Sequence, residues 1–139
     1  MAELKFDSGV KEYTVNGKSV VSFNPTDVHF ARKVYRVFEQ MDAKQGEYDS
    51  VTKNTDNVAA FFAVYERIDT EIRAMLDETL GEGVSDAVFG ATSVTALSGG
   101  LPLWANLLLA IMDEMDESVS REIELSDERL AKYTKKYQK

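Results

Sequence analysis

Hydrophobic and polar positions alternate with one period at the start of this chain and with another after it. Residues 10–15 and 18–23 are rich in β-branched and aromatic side chains and flank Asn16-Gly17. Both turn residues tolerate the positive φ of a type I′ turn, so the pattern predicts a β-hairpin. A short strand over residues 4–6 is expected before Asp7-Ser8-Gly9. An isolated hairpin is marginal in water, so this one needs a helix or another chain to pack on.

From Asn24 the period becomes helical. Asn24 is placed to cap, Pro25 suits a first helical position, and Asp27 favours the positive end of the dipole. Phe30, Val34, Val37, Phe38 and Met41 follow at helical spacing, and Gly46 is expected to end or weaken the helix. Residues 48–54 read as a polar connection. A second helix, capped by Thr55 or Asp56, carries a long apolar stripe from Val58 through Phe61, Phe62, Tyr65, Ile68, Ile72, Met75, Leu76 and Leu80. Asp69 and Arg73 form an i,i+4 pair on its polar side, worth a few tenths of a kcal/mol. Gly81 and Gly83 end it.

Ser85-Asp86 is expected to start one or two helical turns over residues 84–89, and residues 90–100 read as a loop. Pro102 then opens a third long helix, apolar on nearly every side as far as Met112 and acidic and amphipathic afterwards, with Met115, Val119 and Ile123 as core positions. Ser126-Asp127 is expected to cap a final, shorter helix bearing Leu130, Tyr133 and Tyr137. The pattern as a whole predicts one mainly α domain over residues 1–139. A hairpin region (1–23) packs on a helical region (24–139) of three longer helices and a shorter C-terminal one.

Composition narrows the function classes. A net charge of −8 disfavours a general nucleic-acid binder and attraction to anionic lipid. Cysteine is absent, which removes disulfides, thiolate nucleophiles and Cys-based zinc sites and fits a reducing cytoplasm. The start of the chain lacks the basic and long apolar regions of a secretory signal. Residues 87–112 carry no charged side chain, although the chain is otherwise charge-rich. Gly90, Gly99, Gly100 and Pro102 interrupt this block, so it does not read as a membrane span.

No catalytic pattern stands out. His29 is the only histidine and has no ligand at metal spacing, so a surface or partly packed histidine is the default. There is no nucleophile elbow and no phosphate loop. Ser98-Gly99-Gly100 reads as a plain turn rather than an anion site. Asp113, Glu114, Asp116 and Glu117 split between two stripes of one helix and read as a solvated acidic face rather than a metal site. No catalytic, cofactor-binding or metal-binding residue is assigned, and an enzyme is not expected. Leu101, Leu103, Trp104, Leu107 and Leu108 are either core or a docking surface for a partner. An apolar helix of this kind also predicts self-association, because two amphipathic neighbours do not cover every face.

Three stretches carry a family resemblance: Phe6-Asp7-Ser8-Gly9-Val10-Lys11-Glu12-Tyr13-Thr14-Val15-Asn16-Gly17; Val21-Ser22-Phe23-Asn24-Pro25-Thr26-Asp27; and Val88-Phe89-Gly90 with Gly100-Leu101-Pro102-Leu103-Trp104-Ala105-Asn106. With the Lys132-Tyr133-Thr134-Lys135-Lys136-Tyr137 tail, they resemble tail assembly chaperones of long-tailed phages and prophages of Gram-positive bacteria. The resemblance implies a non-enzymatic protein of the host bacterial cytoplasm. Such a protein binds the tape measure protein while the tail tube polymerises and is absent from the mature virion. It also implies the major tail protein and a frameshifted longer form of the chain itself as partners. The alternative is a structural virion component, such as a tail terminator or head–tail connector.

Overall fold

A computed structural model describes residues 1–53 and 56–137. The order of elements is β1 (Lys11–Val15), β2 (Ser19–Phe23), α1 (Val28–Thr52), α2 (Val58–Leu80), α3 (Val84–Phe89), β3 (Leu97–Ser98), β4 (Leu101–Pro102) and α4 (Leu103–Tyr137). The fold is mainly α with an N-terminal hairpin, as the hydrophobic pattern predicts. β1 and β2 pair antiparallel, with Val15 opposite Ser19 and Lys11 opposite Phe23. Asn16 and Gly17 take φ of 51° and 67°, the two left-handed positions that a type I′ turn requires.

The hairpin is fastened by aromatic stacking. Tyr13 lies on Phe23 at 4.7 Å between ring centroids, and Phe23 lies on Phe30 of α1 at 4.5 Å. The expected strand over residues 4–6 is absent, and Leu4 and Phe6 are exposed. Asn24 ties this leading segment down instead: its Nδ2 donates to the Ser8 carbonyl at 2.9 Å. A Cβ on Gly9 would stand 2.6 Å from that same Nδ2, so a side chain there would push the Asn24 amide out of this bond, and the φ of 76° favours glycine as well.

Several helix boundaries differ from expectation. Asn24 does not cap α1 and Pro25 is not its first residue. The Asn24 Oδ1 is occupied by the Thr26 N–H and hydroxyl in a local turn, so the capping role passes to Asp27, whose Oδ1 accepts the His29 N–H at 2.9 Å. Gly46 does not end α1, and the expected polar connection is helical to Thr52; Asn54 lies outside the described residues. Thr55 is also outside them, and α2 is capped by Asn57, whose side chain accepts the Ala60 N–H. Gly81 does end α2. The short helix α3 forms as expected, but its N-terminus is served from α2, where Asp77 Oδ1 accepts the Ser85 N–H at 2.8 Å.

The expected loop over residues 90–100 contains half of a small hairpin, β3–β4, turned by Gly99 (φ 63°) and Gly100 (φ 84°). Pro102 belongs to β4, so α4 begins at Leu103. Its first free N–H groups are met by this loop: Leu103 N donates to the Ala96 carbonyl and Trp104 N to that of Val94. Ser126-Asp127 makes no break. α4 runs unbroken for 35 residues, so the expected separate C-terminal helix is its second half.

α1 sits between α2 and α4. Asp49 pairs with Tyr65, and Lys44 pairs with Glu71 at 3.0 Å. Stepping back along α1 steps forward along α2, so the two are antiparallel. Trp104 meets Gln45 and Phe38 near the start of α4, while Met112, Met115 and Val119 in its middle border Val28, Ala31 and Tyr35 at the start of α1, so α4 is also antiparallel to α1. The core between them holds Val34, Met41, Ile68, Ile72, Leu76, Trp104, Leu108, Ile111 and Met115, with Val21 and Phe23 supplied by the hairpin.

Candidate interaction surfaces

The residues proposed for a partner divide between core and surface. Trp104, Leu107 and Leu108 are buried, Leu103 is half-buried and Leu101 is exposed. A side chain packed as Trp104 is reaches a partner only if the helices separate, so the docking reading passes to Leu101 and Leu103. The charge-free block is divided in the same way: Val88, Val94, Trp104, Ala105, Leu107, Leu108 and Ile111 are buried in the chain's own core, whereas most of residues 90–101 are exposed. Its exposed large apolar side chains are Leu97 and Leu101.

Around Leu101 the chain builds a small apolar projection. The β3–β4 tip holds Leu97 and Leu101 in solvent, 69% and 41% exposed. Asn106 of α4 secures the tip: its Nδ2 donates to the carbonyls of Ser98 at 3.0 Å and Leu101 at 3.3 Å. Beside the tip lies a hollow of about 330 Å³ whose lining mixes Val15, Val88, Phe89, Leu103, Leu107 and Ala110 with the polar Asn16, Lys18, Thr92 and Asn106. Ser98-Gly99-Gly100 is therefore the turn of a hairpin, and its polar backbone is engaged by Asn106.

The loop that carries this tip is pinned by Arg73. Its Nε meets Asp69 at 2.8 Å and its Nη1 meets Asp86 at 2.8 Å, while Nη2 donates to the carbonyls of Gly90 and Thr92. Asp69 uses its other oxygen to accept the Val94 N–H at 2.7 Å. The i,i+4 pair seen in the sequence is thus the centre of a network joining α2, α3 and residues 90–94. It is more than a solvated surface pair.

Two further apolar surfaces went unnoticed in the sequence. A groove of about 520 Å³ runs between the start of α1 and the middle of α4. At the start of α2, Val58, Phe61 and Phe62 are exposed, with Phe61 tilted against Tyr65 at 4.9 Å. An apolar stripe wider than its neighbour helix can cover was the available signal for the second, since Ala59 and Ala60 broaden it at that point.

The polar candidates are structural or solvated. His29 is exposed in the first turn of α1. Glu114 receives the Tyr13 hydroxyl at 3.2 Å, the Ser118 hydroxyl at 3.1 Å and Arg121 at 2.8 Å. Burial pushes its carboxyl up, but the bonds from Ser118, Arg121 and Tyr13 outweigh that and hold it below the usual glutamate range. Asp113, Asp116 and Glu117 face solvent. Among the described residues no group of three or more His, Asp or Glu side chains is placed to hold a metal ion. Among the same residues no helix is long and apolar enough to cross a membrane. No protein-family model, curated protein or solved structure matches this chain.

Proposed function

We propose that this protein is a non-enzymatic assembly chaperone that masks an apolar helical segment of a partner. Following the resemblance of its sequence, that partner is the tape measure protein of a long-tailed phage, bound in the host cytoplasm before the tail is complete. The observation that carries the reading is the β3–β4 tip: Leu97 and Leu101 stand in solvent on a two-glycine turn beside the hollow floored by Leu103 and Leu107. Two exposed apolar anchors beside a shallow recess of mixed lining, apolar on the α3 and α4 side and polar at Asn16, Lys18 and Thr92, suit an amphipathic helix that presents apolar residues on one face. The acidic net charge of −8 keeps such a complex dispersed.

Calorimetric titration of the purified chain with overlapping tape measure fragments tests this. Leu97→Asp and Leu101→Asp are expected to weaken binding by roughly tenfold or more, as loss of an interface anchor does. Absence of binding to every fragment removes the reading. Recovery of the chain at fixed copy number in purified particles replaces it with a structural virion component.

A further inference from the structure

α4 outruns the body of the protein. Met115 is the last buried apolar residue along it, and beyond Ser118 its described side chains are exposed. Residues 120–137 would extend about 27 Å at helical rise. Ile123 is 57% exposed and Leu130 61%, and with Val119 and Ser126 they fall at spacings of four, three and four residues. That is the seam of a two-stranded coil. Tyr133 and Tyr137 continue the same spacing in the sequence. The chain's accessible surface, 10066 Å², exceeds the roughly 7,200 Å² expected of a compact monomer of this mass. The excess, which the protruding half of α4 shares with the exposed leading residues Met1, Leu4 and Phe6, is larger than the about 800 Å² that each partner contributes to a standard interface.

Charge along the same helix says what covers the seam. Residues 113–128 carry eight carboxylates and one arginine, whereas residues 129–136 carry Arg129, Lys132, Lys135 and Lys136. A parallel pair of such helices would set acid against acid. An antiparallel pair crossing between Ile123 and Ser126 sets Asp113, Glu114, Asp116 and Glu117 along the other copy's basic block, and only the middle stretch, residues 121–128, meets its own counterpart.

We infer that a second copy of this chain occupies the seam, with the two α4 helices antiparallel and crossing between Ile123 and Ser126. That register sets Val119 opposite the other copy's Leu130 and Glu117 opposite its Lys132. It also lays the end of each α4 along the other copy's groove, bordered by Pro25, Val28, Tyr35, Met112, Met115 and Val119. The interface lies apart from the β3–β4 tip and stands or falls independently of the proposed chaperone role.

Sedimentation of the full chain at tens of micromolar is expected to give twice the chain mass. Ile123→Glu, an exposed position, is expected to weaken association by at least about tenfold with helical content unchanged. Direction is tested by oxidative crosslinking, since the chain has no cysteine of its own. An equimolar mixture of Val119→Cys and Leu130→Cys chains should crosslink between the two variants. Leu130→Cys alone should not, because its two copies lie about 16 Å apart along the axis, beyond the roughly 7 Å limit between Cα atoms. A strict monomer overturns the inference, including one that still binds tape measure fragments. So does crosslinking of Leu130→Cys alone as readily as the mixture, or a dimer unaffected by Ile123→Glu.

Discussion

Trp104 donates its indole N–H to Gln45 Oε1 at 2.6 Å, closing a link between residues 59 positions apart. The ring is almost wholly buried and meets Phe38 edge-on at 5.4 Å. One contact therefore fixes where α4 begins against where α1 has nearly ended.

Gln45→Ala leaves that N–H buried without its partner, which costs about 1–3 kcal/mol. Trp104→Ala opens a large cavity as well and costs about 3–5 kcal/mol. Urea titration should rank the two in that order. Trp104 is the only tryptophan, so the emission of the folded chain should be that of a buried indole and shift to the red on unfolding.

Arg73 is 14% exposed at its side chain and serves two carboxylates and two carbonyls. A lysine has no planar fork with which to reach all four. Arg73→Lys is expected to destabilise by about 2 kcal/mol, in the range of charge-assisted bonds at a partly buried site. Amide exchange should quicken first at Val94, whose N–H is held by the same Asp69.

Tyr13 and Glu114 join the hairpin to α4, and they give the fold a dependence on pH at both ends. The Glu114 carboxyl is held below its ordinary value of 4.5, so its contribution is complete at neutral pH and is lost as pH falls through that lowered value. Burial, and then the Glu114 carboxylate, push the Tyr13 hydroxyl above 10.0. That contribution is present below 10 and is lost as pH rises through the raised value. Melting temperature measured from pH 3 to 11 should fall at both limits. Glu114→Gln should flatten the acid limb and Tyr13→Phe the alkaline one.

Ser85 is buried, and its hydroxyl has no hydrogen-bond partner among the described residues. Ser85→Ala removes an unsatisfied group without opening a large cavity and is expected to stabilise by about 1 kcal/mol. Thermal denaturation checks the sign: a loss of stability would mean the hydroxyl has a partner in solution.

The first hairpin was readable because Asn16-Gly17 meets a strict backbone demand. The second was not, because β3 and β4 are two residues each and leave no alternation to detect, although Gly99-Gly100 is a turn signal by itself. Gly46 was misread because packing on either side of it, at Met41 and Tyr48, outweighs the roughly 1 kcal/mol that a helical glycine costs. Ser126-Asp127 resembles a cap, but no glycine or proline stops the helix before it, and Glu124, Leu125, Glu128 and Arg129 all favour continuation. Core and docking surface share one apolar signature. Trp104, Leu107 and Leu108 therefore looked no different from Leu101 until their neighbours were in place.

Because α4 supplies Trp104, Leu108, Ile111 and Met115 to the core, that core cannot close before α4 has been made. A chain made only as far as α3 would leave uncovered the apolar side chains of α1 and α2 that pack on α4. Translation slowed within residues 90–115 would prolong that state and expose it to aggregation or to degradation. The yield of folded protein is therefore expected to fall when delivery of α4 is delayed.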